Sequence, residues 1–197
     1  MTARATSEPV ATVGAAPAGA ADSAAALAAP PAADAPGPPA GRLLVAGVGN
    51  VLRGDDGFGP AVTELLGHLP AGVEVIETGI GGIALLQELM AGCDGLVLID
   101  AVDRGAAPGT VFLLEPEVPE AVHVPDVHLA NPDRVLSMAL SLGALPERVL
   151  IVGCQPEDAH SLAIGLSPAV ARAVDEAVAH VHRIVGGWLL EPARAAV

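Results

Sequence analysis

Apolar residues in this chain fall into short unbroken runs, with helically spaced stripes between them and glycine or proline at the joins. Leu43 to Ala46 and Val48, broken only by Gly47, read as a strand buried on both faces. Val73 to Ile76, Gly95 to Asp100, Thr110 to Leu114 and Val149 to Val152 read as four more strands. Helical spacing of Val62, Leu65, Leu66 and Leu69 predicts a first helix from about Pro60 to His68, with Pro60 in its first turn. Ile83, Leu86 and Met90 give a second helix one apolar face before Gly92. Asn131-Pro132 caps and opens a third, striped by Val135, Leu136, Ala139 and Leu142. Ser167-Pro168 repeats that arrangement before a fourth, lined by Val170, Val174, Val178, Val181 and Val185 and ending at Gly186. Residues 115–128 hold three prolines and read as a loop.

Strands alternating with helices predict an α/β fold, a three-layer αβα arrangement with a mostly parallel five-stranded sheet. The link from the third strand to the fourth, 101–109, is too short for a helical crossover. That pair can therefore run antiparallel, which would make the sheet mixed.

Composition divides the chain in two. Residues 1–40 are mostly Ala, Pro, Gly and Ser, and cannot bury enough large apolar surface to offset their ordering entropy, so a disordered tail is expected. The segment lacks a basic start leading into a continuous apolar run, and Pro30, Pro31 and Pro36 interrupt it, which argues against a secretory signal. No apolar stretch approaches the ~20 residues a membrane span needs, so a soluble, cytoplasmic protein is expected. Residues 41–197 form the single folded domain.

All nine basic residues are Arg and the formal charge is −14. The tail holds one arginine against three carboxylates, so nearly all of that charge belongs to the domain. So acidic a surface repels phosphate backbones and excludes nucleic acid as a partner. Cys93 and Cys154 show no CxxC pairing and read as reduced, packed thiols.

The loop after the first strand, NVLRGDDGFG, carries the first candidate chemistry. Gly47-Val48-Gly49 resembles the start of a dinucleotide fingerprint, with Glu77 placed as a ribose-binding acid. The third glycine is missing at Leu52, however, and Asp55 and Asp56 stand where a pyrophosphate would be repelled. A nucleophilic hydrolase is also poorly supported: GxSxG is absent, and adjacent His160 and Ser161 cannot readily point at each other.

A metal-directed site fits better. Asp56 lies beyond the first strand, Asp100 closes the third, and these strands are neighbours in the common doubly wound order. His128 precedes the third helix. Two carboxylates and a neutral imidazole balance a divalent charge and suit nickel or zinc. Each has a plainer reading, Asp100 as a strand end and His128 as a structural histidine, while Asp55 reads as a loop or helix-entry hydrogen-bond acceptor. His123 to His128 forms a rival local cluster.

Taken together, GVGNVLRGDDGFG, ETGIGGIALL, LIDAVD, the His128 loop and VGCQPE resemble the hydrogenase maturation endopeptidases over about residues 42–186. The resemblance implies a phosphorylase/hydrolase-like αβα fold. It also implies an endopeptidase that removes the C-terminal extension of a nickel-iron hydrogenase large-subunit precursor after nickel insertion. Asp56, Asp100 and His128 would be the nickel-contacting and catalytic residues, the nickel being carried by the precursor. The pattern departs at Glu77-Thr78-Gly79-Ile80-Gly81, where the family typically resembles Asp-Gly-Gly-Thr, and the tail has no counterpart. A nickel-dependent chaperone using the same three residues without hydrolysis is the non-enzymatic alternative.

Overall fold

The computed structural model describes residues 41–79, 82–118 and 132–191. The expected tail, the His123 to His128 cluster and the cap residue Asn131 lie outside the described residues. Five strands, β1 (Leu43–Val48), β2 (Val73–Gly79), β3 (Gly95–Ala101), β4 (Val111–Leu114) and β5 (Arg148–Cys154), form one sheet in the order β2-β1-β3-β5-β4. Four α-helices accompany them: α1 (Phe58–Leu65), α2 (Gly82–Met90), α3 (Pro132–Ser141) and α4 (Pro168–Leu190).

Strand alternation sends residues of β1 and β3 to two separate cores. Leu43, Val45, Val97 and Ile99 pack with Phe58 and Val62 of α1 and with the Val170 to Val185 stripe of α4. Leu44, Ala46, Leu96 and Leu98 pack on the other face, with Leu85 and Leu89 of α2 and Val135, Leu136 and Ala139 of α3. A strand covered on both faces must be apolar at every position. Accordingly β1 is buried throughout, the unbroken run seen in the sequence.

Three expectations are corrected. The sheet is mixed, but the antiparallel partner of β4 is β5, not β3. Strand β3 already has β1 on one side and β5 on the other, both parallel, so β4 takes the outer edge. In α2 the buried residues are Leu85 and Leu89, whereas Ile83 and Met90 are more than half exposed. Helix α4 passes through Gly186 and Gly187 to Leu190. Trp188 continues its packed face there: it abuts Gly95, where an added Cβ would lie 2.8 Å from the indole, and Arg148 stacks over its ring.

The chain reverses direction across the sheet between β1 and β3, since β2 lies on one side of β1 and β3 on the other. This is the switch point at which open α/β sheets leave a crevice beyond the strand ends. Helix α1 is seated close against it. A Cβ on Gly59 would lie 2.2 Å from the Val48 carbonyl oxygen and 2.5 Å from that of Ile99, so no side chain fits between helix and sheet.

Candidate active site at the sheet switch point

The polypeptide leaving β1 turns at Gly49, whose φ of 133° suits glycine and whose missing side chain makes room for the Asp56 carbonyl. A 3-10 helix, Gly54–Gly57, then leads directly into α1. The loop expected from its glycines is thus short and ordered, and it carries its two carboxylates in opposite roles. Asp55 is 1% exposed, and its carboxylate accepts backbone amides from Glu157 (2.8 Å), Asp158 (3.2 Å) and Ser167 (2.6 Å). It ties the 3-10 helix to the loop after β5 and to the start of α4, the hydrogen-bond acceptor role foreseen for it. Asp56 is turned towards the crevice, where its Oδ2 accepts the Asn50 amide at 2.9 Å.

Asp100 stands at the end of β3 and accepts the Ala101 amide at 2.8 Å. Burial pushes its carboxyl up to about 7; the Ala101 hydrogen bond opposes that shift, and the carboxylates of Asp56 and Asp133 add to it. Asp56 and Asp100 line one cavity of about 360 Å³ together with Asn50, Arg53, Gly79 and the backbone around Val48. On the other flank Asp100 borders a second cavity of about 710 Å³ with Asp103, Glu115, Glu117 and Asp133.

The structure thus brings two of the three sequence-predicted site residues into one cavity. The third, His128, lies outside the described residues. Among the described residues no group of three His, Cys, Asp or Glu side chains could hold a metal. The competing chemistries find little support. A dinucleotide would need a helix N-terminus facing the crevice directly after Gly49, and a turn followed by the acidic 3-10 helix Gly54–Gly57 stands there instead. The Glu77 carboxylate is met by the Thr63 hydroxyl at 3.4 Å. His160 and Ser161 give their backbone amides to Asp158 in a surface turn. Cys93 and Cys154 are both free, and burial pushes each thiol up to about 11, far from a reactive thiolate.

Comparison with known proteins adds decisive information. A family model described as hydrogenase maturation protease matches residues 61–184. The chain belongs to the hydrogenase maturation proteases. It is 35% identical over 161 residues to the hydrogenase expression/formation protein HupD of Rhodobacter capsulatus, covering 79% of this chain and 76% of that one. To the hydrogenase 2 maturation protease of Escherichia coli it is 35% identical over 146 residues, covering 71% and 88%. The solved structure of the E. coli hydrogenase maturating endopeptidase HybD superposes with a TM-score of 0.64 at 32% identity, over 75% of this chain and 93% of that one. This protease is therefore an enzyme, a hydrolase acting on peptide bonds, and the mostly parallel mixed sheet is the family's fold. The chaperone alternative falls with that finding.

Sequence reasoning missed two residues that line the protease's crevice and one that braces a neighbouring loop. Asn50 and Arg53 line the cavity, one holding Asp56 through its backbone and the other reaching in from the turn. Gln155, 5% exposed, shapes the loop after β3. Its Oε1 accepts the amides of Arg104 and Ala106, and its Nε2 donates to Asp103. The family motif VGCQPE contains this glutamine, but nothing in the local pattern distinguishes a buried clamp from a surface amide. No helix among the described residues is long and apolar enough to cross a membrane.

Proposed function

We propose that this protease removes the C-terminal extension of a nickel-iron hydrogenase large-subunit precursor in the cytoplasm, and that Asp56, Asp100 and His128 contact the nickel which that precursor carries. The observation carrying the reading is the pairing of Asp56 and Asp100 in one cavity at the β1/β3 switch point. Two carboxylates and one imidazole still make an incomplete coordination sphere, suited to meeting a metal that arrives with its own ligands. Asp100 fits this role electrostatically. Its burial beside other carboxylates makes its ionised form costly, and an incoming divalent cation relieves that cost.

Burial holds both thiols protonated and Ser161 sits in a surface turn, so the attacking group is water. The carboxylates orient that water and the peptide. Nickel on the precursor serves as the recognition element.

The direct test mixes the full chain with nickel-loaded precursor and reads the size shift on a denaturing gel. Wild type shortens the precursor, whereas Asp56→Asn, Asp100→Asn and His128→Ala each leave it uncut while remaining folded. Normal cleavage by any one of these variants removes that residue from the site.

A further inference from the structure

Beside the cavity, two loops join into a single rim. The turn after β1 is closed by the Arg53 amide donating to the Asn50 carbonyl and by the Leu52 amide donating to Asn50 Oδ1. The loop between β5 and α4 runs alongside it, bridged at Arg53 and Ala163. The Ala163 amide donates to the Leu52 carbonyl at 3.1 Å, and the Gly54 amide donates to the Ala163 carbonyl at 2.8 Å. These bonds place Leu52 beside Ala163, with Leu162 and Ile164 on either side of it. The rim's large side chains face water: Val51 and Leu52 are each 55% exposed, Leu162 85% and Ile164 90%.

This exposure does not come from a slack loop. Asp55 grips the amides of Glu157, Asp158 and Ser167, and the Asp158 carboxylate holds the amides of His160 and Ser161. Leu166 packs into the α1/α4 core just beyond. The backbone is thus fixed on both sides of Leu162 to Ile164, and four apolar side chains are held out on a chain whose net charge is −14. A preformed apolar patch loses little entropy when covered, which marks it as a binding surface.

We infer that the Val51, Leu52, Leu162 and Ile164 rim is the docking surface for an apolar stretch of the protein substrate flanking the bond that is cut. The inference rests on the reading of the Asp56/Asp100 cavity as the cleavage site, and it names what grips the substrate there. Its support is continuity: Val51 and Leu52 lie between Asn50 and Arg53, both of which line the cavity with Asp56 and Asp100. A cavity of about 360 Å³ holds the reacting segment, so a polypeptide entering it must cross its edge. An anionic membrane surface is a poor alternative for so acidic a chain.

The test uses the full chain carrying Leu162→Ser and Ile164→Ser together, with nickel-loaded precursor. Leu190→Ser serves as the control: it is 87% exposed but lies at the far end of α4, about 33 Å along the helix from Pro168. The rim variant should keep the wild-type Tm and show KM raised about tenfold, with the loss carried by KM, while the Leu190 control stays at the wild-type value. Affinity is measured separately by calorimetry in the Asp100→Asn background, where the rim changes should weaken precursor binding about tenfold. Unchanged affinity and KM in the rim variant would overturn the inference. So would a rim variant that only shifts sedimentation from dimer to monomer, since the rim would then be covered by a second copy of this chain. Normal cleavage by Asp100→Asn would remove the catalytic reading of the cavity, and the calorimetric comparison would still decide the rim.

Discussion

The two ends of the sheet treat buried charge in opposite ways. At the end where β1 begins, Arg42 is 8% exposed and fully engaged: its guanidinium donates to Glu74 and Glu88 carboxylates and to the carbonyls of Glu88 and Gly92. The partners reinforce each other, raising the guanidinium's pKa through its hydrogen bond to Glu74 and lowering that of Glu74 in turn. At the other end, Asp100 is half-buried, and its burial, together with the nearby charges of Asp56 and Asp133, drives its carboxyl up to about 7. One end is electrostatically complete and fastens β1 to β2 and α2. The other sets the Asp56 and Asp100 carboxylates in one cavity. The difference teaches where to look for chemistry: charge closed off by its partners marks a fastening, and carboxylates gathered in a cavity at a strand end mark a candidate site.

The largest effect expected from this contrast is on activity. Asp56→Asn should lower precursor cleavage by at least about a hundredfold, in keeping with loss of a charged contact made at the reacting centre, and should leave Tm within a few degrees of wild type. Thermal unfolding beside a cleavage time course checks both halves. Arg42→Ala should do the reverse. It leaves two carboxylates and two carbonyls short of their donor, so stability should fall by about 2 kcal/mol in urea unfolding, while cleavage per folded molecule stays at the wild-type level. A variant at either end that alters both properties equally would break the division.

A smaller effect sharpens it. The folded-state pKa of Asp100, about 7, lies above the ordinary carboxylate value of 3.8. The folded protein therefore holds a proton that the unfolded chain releases. Asp100's contribution to stability is fully present below about pH 3.8 and is lost as the pH rises through about 7. Relative to Asp100→Asn, wild type should lose stability across that window by at most about 1.4 kcal/mol per pH unit. Urea titrations of the two proteins at several pH values check the slope; parallel curves would show that the carboxyl is not held protonated.

Legibility from sequence followed the range of the interactions. The β1 and β3 runs and their acidic ends could be read because a doubly covered strand must be apolar throughout, and Asp100 breaks that rule. The convergence of Asp56 and Asp100 followed from strand order alone. In α2, by contrast, GIALLQELM is so rich in apolar residues that spacing could not choose between the Ile83 face and the Leu85 face. The partner of β4 depends on where β5 inserts, which no local pattern records. The Arg42 cluster joins residues 32 and 46 positions apart, a separation that no local pattern records. The exposure of Leu162 and Ile164 is hidden for a related reason: only the folded loop shows that they stay in water beside the turn after β1.

The central claim, that the carboxylates at the switch point read a metal brought by the substrate, is tested most directly by giving the wild-type protease nickel-loaded and nickel-free forms of the same precursor under otherwise identical conditions. The account predicts a complete size shift for the loaded form and none for the empty form, because Asp56, Asp100 and His128 alone offer an unfinished coordination sphere. Equal cleavage of the two forms would contradict it.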